Sequence, residues 1–201
     1  MLVCLREHPS ERKFRLLSCA ICRRIWDQMT DHRSRQAVET AELYADGRAT
    51  EAELRSAWEA ACYADEPDDL IRFAASGTAA GPGRMGFATV RSIAEECPVF
   101  LERQSGRLER RREEEKALSD LVREVFANPF CPTLLAPKWL TSEVKNLAQT
   151  ISDEGTFEML PILRDCLLDA GCDSDEILSH CVSGTGHVRG CWVIDRLLGK
   201  E

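Results

Sequence analysis

Along most of the chain, apolar side chains return every third or fourth residue, the period of one face of an α-helix, and strand-type alternation is weak. Phe14, Leu17, Ile21 and Ile25 define the first such face, with Ser10 placed to cap a helix running to about Met29. A second helix follows Asp31, turns Val38, Ala41, Leu43 and Tyr44 inward and stops at Gly47. Thr50 and Glu53 have the spacing of a capping box and open a third helix carrying Leu54, Ala57, Trp58 and Ala61. DEPDDLIRFAAS predicts a short fourth helix with Pro67 in its first turn.

The glycines and proline of GTAAGPGRMG, from Gly77 to Gly86, predict a loop or linker. A helix is expected over residues 88–96, with Pro98 interrupting or kinking it. RLERRREEEKALSDLVREVF predicts a long helix whose charged middle is a solvated face and whose Leu118, Leu121, Val122 and Val125 dock on a core. NPFCPTLLAPKWLT is an extended connector, because each proline restricts the residue before it. Beyond it, Thr141 or Ser142 caps a helix through EVKNLAQTISDEG, Pro161 starts another that Gly171 ends, and Asp173 with Glu176 boxes a third. A last helix is expected from near His187 to Gly199, with Val188, Cys191, Trp192 and Leu198 on its apolar stripe.

The fold class expected is therefore all-α: a multi-helix bundle, or an irregular array of paired helices without a fixed repeat period, in two helical units. Residues 1–127 form the first unit, with a variable insert around 77–114. Residues 128–201 form the second, expected to pack back on the N-terminal helices.

Composition narrows the function classes. The hydrophobic fraction of 44% suits a chain that buries a core, and charged residues make up 30%. A net charge of −8 argues against a dedicated nucleic-acid binder. The stretch from Arg12 to Arg35 is nevertheless rich in arginine, so a nucleic-acid accessory role through that local basic face is kept as an alternative. MLVCLREHPSERKF turns charged too early for a secretory leader, and no apolar run approaches a membrane span, so a cytoplasmic protein is expected.

Ten cysteines lie largely inside helical patterns, where reduced cysteine acts as a small hydrophobe. Chemistry concentrates in two places. Cys19 and Cys22 have the CxxC spacing that lets two thiolates reach one zinc ion at about 2.3 Å. His187 and Cys191 would complete the set, with Cys181 as a substitute ligand and His180 and Cys172 as further options. The competing reading is helix–helix packing, since this CxxC sits inside a helix rather than a turn. Redox chemistry fits it poorly, because a reactive thiol wants a helix N-terminus. The second place, SGTGHVRG, could point backbone N–H groups at an anion, with His187 and Arg189 adding charge, but the full phosphate-loop pattern is absent. Cys22, His32 and Asp31 can be drawn as a nucleophile set, although a polar helix start explains them as well. Trp26, Trp58, Trp139 and Trp192 read as core or groove anchors.

The segments RLLSCAICRRIW, AELYADG, FANPF, LPILRDCLLDAGC and HVRGCWVIDRLLGKE resemble a family of helical proteins from planctomycete bacteria of the Gemmata type. The resemblance covers both ends and much of the second unit, and fades from about Gly77 to Glu114. It implies a shared fold and carries no activity. Taken together, the expected function is a non-enzymatic interaction or scaffold protein, or an accessory subunit, presenting helix faces to a protein partner. The alternatives are a zinc-stabilised adaptor with one structural zinc and the nucleic-acid accessory role.

Overall fold

The structure, a computed structural model, describes residues 10–128, 133–183 and 186–200. Within them the chain forms α1 (Glu11–Arg24), α2 (His32–Ala45), α3 (Glu51–Cys62), α4 (Asp69–Thr78), α5 (Phe87–Ser105), α6 (Leu108–Phe126), α7 (Ser142–Glu154), α8 (Leu160–Asp169), α9 (Asp175–His180) and α10 (Trp192–Leu198), joined by short 3-10 turns. The all-α class holds, and no strand occurs among the described residues. The chain divides into two compact units, the first ending at Val122 and the second beginning at Arg123. The final residues of α6, Glu124 among them, thus belong to unit 2.

Local chemistry sets the helix starts. Ser10 accepts from the Lys13 N–H, Asp31 from Arg33 and Thr141 from Val144, each satisfying a donor that the first turn leaves unpaired. At α3 both halves of the capping box form between Thr50 and Glu53.

In unit 1, α1 packs on α2, α4 and α5. It buries Leu16, Leu17, Ile21, Cys19 and Cys22, and Ala37, Val38, Ile71 and Ile93 are buried on the helices it packs on. Two charges are buried with partners. The Arg15 guanidinium donates to the carbonyls of Thr78 (2.6 Å) and Ala80 (2.8 Å), closing the C-terminal end of α4. The Glu114 carboxylate is fully buried and accepts from Arg24.

Several expected boundaries move. Gly77 lies within α4 rather than in a loop; a Cβ there would meet Ile93 Cδ1 at 3.3 Å, so its bare Cα permits the close approach of α5. α5 runs unbroken through Pro98, because Cys97, Phe100 and Leu101 bury around it and offset a proline cost of about 3 kcal/mol. Pro67 precedes the Asp68 cap of α4 instead of occupying its first turn. Asp173 does not cap α9; Ser174 accepts from Ile177 in its place.

Unit 2 packs α7 against α8 and α10, and α8 against α9. Its core joins Val144, Ala148, Ile151, Leu160, Leu163 and Leu167 to Trp192, Val193, Ile194 and Leu197. The last helix starts at Trp192, not near His187, so residues 186–190 form an approach loop in which Gly190 takes φ 91°. Arg189 fixes this loop by donating to the Ser152 carbonyl at 2.8 Å and to Asp153 at 3.3 Å, at the C-terminal end of α7 where cations are favoured. Residues 1–9, 129–132, 184–185 and 201 lie outside the described residues. So do the expectations that fall on them: the opening of the charged N-terminal stretch, the middle of the proline connector, and Gly184 and Thr185 of the glycine loop.

Leu17 is fully buried and Thr50 holds an exposed cap. Leu17→Ala should destabilise the protein by about 2–5 kcal/mol and Thr50→Ala by about 1 kcal/mol in denaturant unfolding. A loss under about 1 kcal/mol at Leu17 would contradict its place in the core of unit 1.

Candidate metal centre

Four ligand-bearing side chains of unit 2 converge. One ligand atom each from Glu124, His180, His187 and Cys191 can be chosen so that all lie within 4.8 Å of one another. Each comes from a different local setting. Glu124 projects from the last turn of α6, and His180 is the final residue of α9. His187 lies in the loop anchored by Arg189, and Cys191 is the residue before α10.

Closer contacts organise the group. Glu124 Oε1 is 3.0 Å from His187 Nδ1, and Glu124 Oε2 is 3.3 Å from His180 Nε2. His180 Nε2 is also 3.2 Å from Cys191 Sγ. On the far side of the same ring, the Trp192 indole N–H donates to His180 Nδ1 at 3.1 Å. The two imidazoles meet edge to face, with centroids 5.0 Å apart. Ligands about 2.0–2.3 Å from a tetrahedral ion stand roughly 3.3–3.8 Å from one another, and the four ligand atoms here, all within 4.8 Å of one another, are near enough to reach that spacing by small movements.

The electrostatics follow from burial. The Glu124 side chain is only 4% exposed. Desolvation pushes its carboxyl up, but the hydrogen bonds it makes with His180 and His187 outweigh that and hold it at about 2. Burial raises the Cys191 thiol well above its ordinary range and the Glu124 charge raises it further, while backbone groups at Val193 and Ile194 pull the other way. A cation placed between Glu124 and Cys191 would reverse the balance at the thiol, since a coordinating thiol loses its proton outright. A carboxylate, two imidazoles and a thiol make a donor set that could hold a metal ion.

The four residues expected as ligands are distributed between the units. His187 and Cys191 are in the cluster, while Cys19 and Cys22 belong to unit 1. Cys19 is buried with its thiol toward the Val38 carbonyl at 3.8 Å, and burial raises both thiols, the setting of packing residues. Cys181 lies in the core of unit 2 with its thiol pushed up to about 12 by burial and by Cys172; it is not a member of the cluster. Glu124 and Trp192 had no place in the sequence-based site, and His180 only a secondary one. The signals were there: Glu124 interrupts the apolar face of Leu121 and Val125, and His180, His187 and Cys191 fall within twelve consecutive residues.

The other candidate chemistry disperses. Both candidate side chains of the glycine loop are engaged, His187 by Glu124 and Arg189 by two carbonyls. His32 is 85% exposed beside Asp31, whereas Cys22 is fully buried, so they form no nucleophile pair. The arginines from Arg12 to Arg35 have intramolecular acceptors: Arg12 on Asp46, Arg15 on Thr78 and Ala80, Arg23 on Glu42, Arg24 on Glu114, Arg33 on Asp31 and Arg35 on the Trp26 carbonyl. Phosphate contacts would have to compete with these pairs. No helix among the described residues is long and apolar enough to cross a membrane. No protein-family model, no curated protein and no solved structure matches the chain.

The Glu124 carboxyl titrates below its ordinary 4.5, so its contribution to stability is complete above about pH 4.5 and is lost as pH falls through about 2. That displacement corresponds to roughly 3 kcal/mol. Metal-free protein should lose stability over this window by more than Glu124→Gln does, measured by denaturant unfolding in steps of pH. Equal slopes for the two proteins would contradict the network.

Proposed function

We propose that the protein is a non-enzymatic helical adaptor whose C-terminal unit is fastened by one zinc ion, bound within the group Glu124, His180, His187 and Cys191. The observation that carries this reading is the convergence of the four ligand atoms within 4.8 Å in a buried setting. Zinc suits a mixed nitrogen, oxygen and sulfur donor set of this size. Fastening is the natural role, because α9, α10 and the intervening loop are short elements, and an ion would tie them to the end of α6. The cytoplasm, which keeps thiols reduced, is the compartment that fits the free cysteines.

Large apolar side chains left in solvent supply the faces for a protein partner. Tyr63 and Phe73 are exposed in unit 1, and Ile162 and Leu168 in unit 2. The nucleic-acid alternative lacks comparable support, since the arginines it needs are already paired.

Elemental analysis of untagged protein should find one equivalent of zinc, and chelation should lower the melting temperature. An ion present at a thousand times its Kd contributes about 4 kcal/mol, which for a chain of this size is a shift of roughly 8–16 °C. Metal-free protein with a melt unchanged by zinc or chelator would overturn the reading.

A further inference from the structure

The Trp192 indole N–H is a donor only. Its 3.1 Å bond to His180 Nδ1 therefore occupies the lone pair of that nitrogen. A neutral imidazole carries its proton on the other nitrogen, so Nε2 of His180 is an N–H group. That N–H faces Glu124 Oε2 at 3.3 Å and Cys191 Sγ at 3.2 Å, both acceptors. A histidine that binds a metal shows the opposite arrangement: one nitrogen gives its lone pair to the ion, and the other donates its N–H to a carboxylate, carbonyl or water. Here the nitrogen turned away from the cluster meets a donor. For His180 to bind an ion through Nε2, the Trp192 N–H would have to lose its acceptor inside the core, where Trp192 is 3% exposed. His187 carries no such constraint, since its described partner is the Glu124 carboxylate at 3.0 Å.

We infer that zinc at this site is held by three side chains, Glu124, His187 and Cys191, and that His180 is a positioning residue rather than a ligand. This rests on the zinc reading given above. His180, locked by Trp192, donates its Nε2–H to the ligand atoms of Glu124 and Cys191 and orients them. The fourth coordination position then goes to a molecule from solvent. Its chemical class follows from charge: one carboxylate and one thiolate already neutralise the dication. A neutral water fits this buried setting better than an anion, which would leave an uncompensated charge. The centre is thereby an ion with one exchangeable position, not a closed four-residue clamp.

The test is nitrogen-detected histidine NMR on uniformly labelled full-length protein, with and without one equivalent of zinc. In zinc-free protein at neutral pH, His180 should show a protonated Nε2 and a lone pair at Nδ1. On loading, a His187 nitrogen should move to a metal-bound shift. The His180 Nε2–H signal and the Trp192 indole N–H should persist. A metal-bound shift at His180, or a protonated Nδ1 in the zinc-free protein, would overturn the assignment even if zinc binds. Absence of zinc uptake by the same sample would overturn the zinc reading itself, and the three-ligand centre with it. Exchange at the fourth position is read in cobalt-substituted protein, whose visible bands should change when imidazole is added. Bands insensitive to imidazole at saturating concentration would contradict an open position.

Discussion

A carboxylate with 4% of its side chain exposed cannot remain charged without partners, and the organisation of unit 2 turns on how Glu124 finds them. Its two oxygens are divided between His187 at 3.0 Å and His180 at 3.3 Å. Each histidine reaches it by a different route. His180 arrives because Ser174 starts α9 one turn and a half earlier, and His187 because Arg189 pins the following loop to the end of α7. Cys191 is carried in by the same loop as it enters α10, and Trp192, next in sequence, seals the ring of His180 from behind. Removing either histidine leaves one oxygen of a buried carboxylate without its partner, so the cluster and the local fold support one another.

Among the described residues, unit 1 buries charge by pairing it. Its buried charges are matched with partners, Arg15 with helix-end carbonyls and Glu114 with Arg24, and Cys19, Cys22 and Cys97 are buried in helices. Each arginine of the stretch from Arg12 to Arg35 has an intramolecular acceptor.

The helices were legible because their determinants are local. Apolar spacing, the Ser10, Asp31 and Thr141 caps and the Thr50–Glu53 box act within a turn or two of one another. Misplaced boundaries trace to tertiary effects that no local rule contains: burial around Pro98 carries α5 through a helix breaker, and contact with Ile93 requires Gly77 inside α4. The candidate site was half legible for the same reason. His187 and Cys191 are close in sequence, and the pattern marked them. Glu124 lies more than sixty residues from His187, and only the folded chain brings it there. CxxC drew attention to Cys19 and Cys22 through spacing alone, whereas their burial in α1, with Cys19 against Val38, reflects the ordinary packing of small apolar side chains.

The most direct measurement of the central claim is anomalous diffraction at the zinc edge from crystals grown with zinc. The account predicts a single strong peak in unit 2 about 2.3 Å from Cys191 Sγ and about 2.0–2.2 Å from Glu124 and His187, with the Trp192–His180 bond intact beside it. A map without a peak there, and with Glu124 still shared between the two histidines, would show a self-sufficient polar network and contradict the account.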